Sequence, residues 1–131
     1  MLFAISNGLL AGLMLGVVLA IGDGVFQSNT LQILLNISYV PGFEHAPAIL
    51  EFFIHLVISV LVTFLFIFFY PRKKKNRIFS YAVGWNILFF LLYFIFTSLS
   101  GISYSFIGIL VWMVGHVIFT LFLVNQIEKK R

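Results

Sequence analysis

The chain contains no cysteine and only three prolines in 131 residues. Without thiols, disulfides, thiolate metal sites and cysteine nucleophiles are excluded. Charge is scarce too. Asp, Glu, Lys and Arg together make up 9% of the chain, whereas soluble domains carry about 25%. What fills the chain instead is apolar: 62% of residues are hydrophobic and 17 are phenylalanine. A small soluble domain leaves too much of its surface in water to hide that fraction, so lipid is the expected solvent.

Four apolar runs are long enough to cross a bilayer as helices, at about residues 2–21, 48–70, 78–99 and 106–124. Each approaches the roughly 20 residues that span about 30 Å of hydrocarbon. Helices are required there because lipid offers the backbone no hydrogen-bond partner. The runs also lack the alternation of membrane strands. The expected fold is therefore an all-α, four-helix transmembrane bundle forming a single unit over residues 1–131. Short connections, "PRKKKNR" and "SGISYS", make spans two, three and four antiparallel neighbours. The first connection, 22–47, is long. Within it "NTLQILLNIS" has N-cap residues at Asn29 or Thr30 and apolar Leu31, Leu34 and Leu35, which reads as a short interfacial helix.

All eight basic residues fall in two places: Arg72, Lys73, Lys74, Lys75 and Arg77, then Lys129, Lys130 and Arg131. Four spans put both places on one side, and basic residues favour the cytoplasm. Both termini are expected inside, with the basic residues against anionic lipid headgroups; a nucleic-acid partner is not expected. The first span lacks a basic leader and an A-x-A-like cleavage site, so it is expected to be retained rather than removed. The expected location is a cell membrane, of bacterial cytoplasmic type.

Gly8, Gly12, Gly16 and Ala20 recur every four residues on the first span. Such a small-residue stripe lets helices approach closely; its partner is another helix of the bundle or a second copy of the chain. The second span opens with "AILEFFIHLVISVLVTFLF", where Glu51, His55, Ser59 and Thr63 share a face. Glu51 and His55, one turn apart, are candidates to pair. The fourth span carries Gly108, Trp112, His116 and Thr120 at the same spacing, and the third carries Asn86, Tyr93, Thr97 and Ser100. Ionisable residues inside membranes usually face the bundle interior and are functional hypotheses by default. The candidate polar site is Glu51, His55, Ser59, Asn86, Trp112 and His116. It is read either as a protonatable site for a ligand or cation or as structural hydrogen bonds pinning the helices.

Residues 48–120 resemble the YagU-like family of small bacterial inner-membrane proteins. The resemblance rests on "FFIHLVIS" around His55, on "FYP" at 69–71 followed by basic residues and "AVG" at 82–84, and on "GH" at Gly115 and His116. It departs from the family where Trp85 directly follows Gly84. The stretch after His116 also lacks the family's tryptophan pattern. The resemblance implies a multi-pass membrane protein tied to envelope or acid-stress tolerance, without a catalytic role.

Two functions fit the sequence. One is a bundle with a protonatable intramembrane site. The other is a non-catalytic accessory or regulatory subunit, whose partner is a second copy or a larger membrane protein. An enzyme is not expected: Ser103 in "GISYS" would lie far shallower than His116, with no third group to orient it. Glu51, His55 and His116 are metal-ligand types, but neither a metal nor a cofactor is expected.

Overall fold

The computed structural model describes residues 2–71, 75–102 and 105–130. Arg72, Lys73, Lys74, Ser103 and Arg131 lie outside the described residues, as do the side chains of Lys75 and Lys130. Among the described residues five α-helices form: α1 (Leu2–Phe26), α2 (Thr30–Leu35), α3 (Ala48–Phe68), α4 (Ile78–Ser100) and α5 (Phe106–Lys130). A 3-10 turn, Lys75–Arg77, leads into α4. Among the described residues there is no strand. Helices α1, α3, α4 and α5 are each long and apolar enough to cross a membrane.

Two of the four outrun the expected spans. Helix α1 continues to Phe26 and α5 to Lys130, because polar residues can leave the hydrocarbon without leaving the helix, whose hydrogen bonds run along the backbone. Local chemistry sets the other ends. Helix α3 starts behind Pro47, whose carbonyl accepts the Glu51 N–H at 3.1 Å; proline needs no hydrogen bond of its own there. Helix α4 stops at Gly101, which takes a left-handed φ of 72°. There the Gly101 and Ile102 N–H groups close back on the Ser98 and Thr97 carbonyls.

Burial is inverted relative to a soluble protein. Leu2, Ile49, Phe79 and Phe106 are among many large apolar side chains on the outside, while Asn7, His55, Ser59, Thr63, Thr97, His116 and Thr120 are buried. A soluble monomer rarely exposes a contiguous apolar patch beyond a few hundred Å². Lipid solvates such an outer surface, and close packing and interior hydrogen bonds then hold the helices together. The fold is that of a multi-pass membrane bundle.

Helix α1 packs against α3 and α5, and α4 packs against α5. Glycines set the distances. A Cβ added at Gly8 would come 2.7 Å from the Val60 Cα, and one at Gly22 would come 2.5 Å from Val111 Cγ1. Gly115 of α5 receives Leu15 and Leu19 of α1 in the same way. Between α3 and α4, aromatic side chains fill the seam: the Phe66 ring lies 5.0 Å from Tyr81 and 5.6 Å from Trp85, centroid to centroid. The Tyr70 hydroxyl donates to Glu128 Oε2 at 3.0 Å, which places the ends of α3 and α5 together with the start of α4. This is the basic end of the bundle, where the connection with five basic residues joins α3 to α4.

The opposite end is closed by α2, which touches all four long helices. Thr30 and Ile33 are fully or almost fully buried, and Ile33 belongs to the main core. Asn29 precedes α2 but makes no side-chain cap. The cap comes instead from Asp23 in the last turns of α1. Its carboxylate accepts the Thr30 and Leu31 N–H groups at 3.0 and 2.8 Å and the Thr30 and Ser28 hydroxyls at 2.6 and 2.5 Å. A carboxylate at a helix start is favoured by the open N–H groups and by the helix dipole.

Candidate functional site: the polar interior

The buried polar groups form a ladder of bonds between helices. On α3, His55 Nε2 lies 3.1 Å from the Gly12 carbonyl and Ser59 Oγ donates to the Gly8 carbonyl at 2.8 Å. Both acceptors are α1 backbone oxygens reached over glycine, where no side chain stands in the way. Thr63 turns back on its own helix and donates to the Ser59 carbonyl at 2.8 Å, a common use of threonine in spanning helices. Gly8, Gly12 and Gly16 are buried on this face, whereas Ala20 is exposed. Within this chain Ala20 takes no part in the α1–α3 contact. Each four-residue step drifts by about 40° on a helix of 3.6 residues per turn, so by the fourth position the stripe has rotated off the contact.

Glu51 does not meet His55. Its Oε2 accepts the Ile37 N–H at 3.4 Å, which ties the top of α3 to the segment after α2. The His55 ring is turned away toward α1.

On α5, His116 is enclosed by aromatics. Its ring stacks on Trp112 with centroids 4.5 Å apart and an interplanar angle of 30°, and Phe89 of α4 lies 4.7 Å away. His116 Nδ1 lies 2.8 Å from the Trp112 carbonyl. Trp112 Nε1 donates across to the Phe89 carbonyl at 2.9 Å. Asn86 Nδ2 donates to the Ala82 carbonyl at 2.8 Å and to Thr120 Oγ1 at 3.3 Å, and Thr120 donates on to the His116 carbonyl. On α4, Tyr81 donates to the Phe66 carbonyl at 2.6 Å. The α1–α3, α3–α4 and α4–α5 contacts thus each carry at least one side-chain bond to backbone.

These contacts assign the ring protons. A carbonyl only accepts, so the His55 nitrogen facing Gly12 is Nε2–H, and the His116 nitrogen facing Trp112 is Nδ1–H. The two histidines therefore hold opposite tautomers. His55 Nδ1 and His116 Nε2 keep their lone pairs, and among the described residues neither has a hydrogen-bond partner. Among the described residues no hydrogen bond joins the two rings. No three His, Asp or Glu side chains among the described residues are grouped to hold a metal ion. Because each N–H ends on a carbonyl, which cannot pass a proton on, the ladder itself is not a proton wire. It fixes the rings so that one basic nitrogen on each is left over.

The spacing in sequence brings out all six candidate residues, but not Tyr81, Asp23 or the Gly8 and Gly12 carbonyls. Tyr81 stands on a different face of α4 from the Asn86 stripe, and backbone acceptors leave no mark in a sequence. Compared with known families, curated proteins and solved structures, the chain matches none.

Proposed function

We propose that this chain is a proton-responsive membrane protein of a bacterial cytoplasmic membrane, with both termini and the basic turn inside. In this reading His55 and His116 form an intramembrane pair that takes up a proton, or a ligand that donates one. One observation carries it: each ring is locked by one N–H on a backbone carbonyl and retains a free lone pair. Histidine is the side chain whose ordinary pKa, about 6.5, lies in the physiological range. Glu51, one turn from His55 toward the α2 end of α3, is the acid on the same helix. Kinship with the YagU-like proteins, and their acid-stress role, is part of this proposal and rests on the motifs around His55 and His116. Nitrogen-15 NMR of histidine-labelled protein in bilayers tests it. The reading expects opposite tautomers at neutral pH and reversible protonation of at least one ring on acidification, removed by His55→Gln or His116→Gln. Rings that stay neutral down to the acid limit of the fold would overturn it.

A second reading, an accessory subunit, has one observation in its favour. A groove of about 420 Å³ opens between α4 and α5 along Ala82, Val83, Asn86 and Val117. Asn86 lines it, and its Oδ1 is buried without a hydrogen-bond partner among the described residues. An unsatisfied amide oxygen in hydrocarbon is costly, and a donor from a neighbouring helix would relieve it. Cross-linking from cysteine placed at Val83 tests for such a neighbour; a strictly monomeric product in native membranes would remove this reading.

A further inference from the structure

A different face of α4 carries a second kind of site. Arg77, Ser80, Tyr81, Gly84, Trp85 and Leu88 follow the three- and four-residue spacing of one helix stripe. Two cavities lie along it. One of about 520 Å³ sits at the basic end between Arg77 and the Phe69–Pro71 corner of α3. The next, about 370 Å³, runs past Gly84 and Trp85 to Leu88. Ser80 and Tyr81 line both, so the two form one continuous track.

The track has a polar head and an apolar tail. Arg77 is exposed at its mouth, and among the described residues no carboxylate pairs with it. The connection that supplies Arg77, residues 71–77, holds five basic residues and no acid. A guanidinium matches phosphate geometry and charge. Farther in, a Cβ at Gly84 would meet nothing within 4 Å, so glycine leaves a notch in the lipid-facing surface. The walls are held in place: Tyr81 is bonded to the Phe66 carbonyl, and the Trp85 ring packs tilted against Phe66. From Arg77 to Leu88 the helix rises about 16 Å at 1.5 Å per residue, close to one leaflet of a roughly 30 Å core.

We infer that this track binds one anionic phospholipid from the leaflet at the basic end, with its phosphate on Arg77 and an acyl chain in the Gly84 notch. The site is independent of the histidine pair and of which way the bundle faces. A zwitterionic lipid would fit the notch but gain less at Arg77, and free phosphate would gain nothing from the notch.

Native mass spectrometry of the full chain, released from nanodiscs of equal phosphatidylglycerol and phosphatidylcholine, tests the assignment. The wild type is expected to retain one phosphatidylglycerol per chain in preference to phosphatidylcholine by about fivefold, the effect of one basic group near anionic lipid. Arg77→Gln should bring the two lipids to near parity while one lipid is still retained. Gly84→Leu, which enters open space and keeps the fold, should lose the retained lipid of either class. Val114→Leu, on the exposed face of α5 away from the track, should behave as wild type. Added inorganic phosphate should not displace the lipid. Unchanged preference in Arg77→Gln, unchanged retention in Gly84→Leu, or displacement by phosphate alone would each overturn the site.

Discussion

His55 reaches the Gly12 carbonyl across the α1–α3 contact, Nε2 to oxygen 3.1 Å, and the missing side chain at Gly12 makes that reach possible. A Cβ there would lie 2.8 Å from Ser59 Oγ and 3.1 Å from Leu56 Cδ2. One position thus supplies close packing and an exposed acceptor at once. Helix packing and the placement of the histidine cannot be varied separately.

Alanine at the glycines should destabilise in a graded order. At Gly8 the new Cβ meets Val60 backbone at 2.7 Å; at Gly16 it meets only the Phe52 ring edge at 3.3 Å. Overpacking costs about 1–3 kcal/mol, whereas Gly→Ala inside a helix returns about 1 kcal/mol. Gly8→Ala and Gly12→Ala should therefore lose stability. Gly16→Ala should be close to neutral, and Gly84→Ala neutral or better. Reversible unfolding in bicelles reads the series; equal losses at all four would contradict the contacts described.

Ser59→Ala should cost about 0.6 kcal/mol and no more than about 1.7 kcal/mol, the measured range for bonds between membrane helices. Thr63→Ala should cost less, since its hydroxyl bonds within α3 and its loss breaks no link from one helix to another. Unfolding free energies of the two single variants decide the order.

Asp23→Ala should release α2 while leaving the four long helices intact. Losing a capping acceptor costs about 0.5–2 kcal/mol, roughly a two- to thirtyfold faster opening. Hydrogen exchange should speed up by that factor at the Thr30 and Leu31 amides, which bond to Asp23, and remain slow in the middle of α5. Uniform acceleration along the chain would show that Asp23 acts on the whole bundle instead.

Trp112 provides an optical probe of its neighbour. In a Trp85→Phe background it is the remaining indole, with no exposed surface and stacked on His116. An imidazolium at that distance quenches indole emission, so fluorescence should fall reversibly as His116 takes a proton in acid. His116→Gln should abolish the fall. Emission that is flat with pH in the parent would mean that His116 stays neutral.

Hydropathy marks where lipid lies, and so it finds α3 and α4 almost to the residue. It misses the last turns of α1 and α5, where Gly-Asp-Gly and Asn-Gln-Ile-Glu continue a helix that no longer needs lipid. Spacing assembles faces, and it brings His55, Ser59, Trp112 and His116 inward from sequence alone. It does not choose partners. Glu51 and His55 stand four residues apart, yet each bonds elsewhere, because the nearest suitable acceptor for His55 is a carbonyl on α1 and the donor for Glu51 is the Ile37 N–H. The cap on α2 is hidden for a related reason: Asp23 serves Thr30 from seven residues upstream, through a bend that only the fold creates.

Helix α2 rests on every spanning helix. Its full bed of contacts, with Ile33 in the main core, exists only where all four long helices meet, so the short helix between α1 and α3 reports on the packing of the whole bundle.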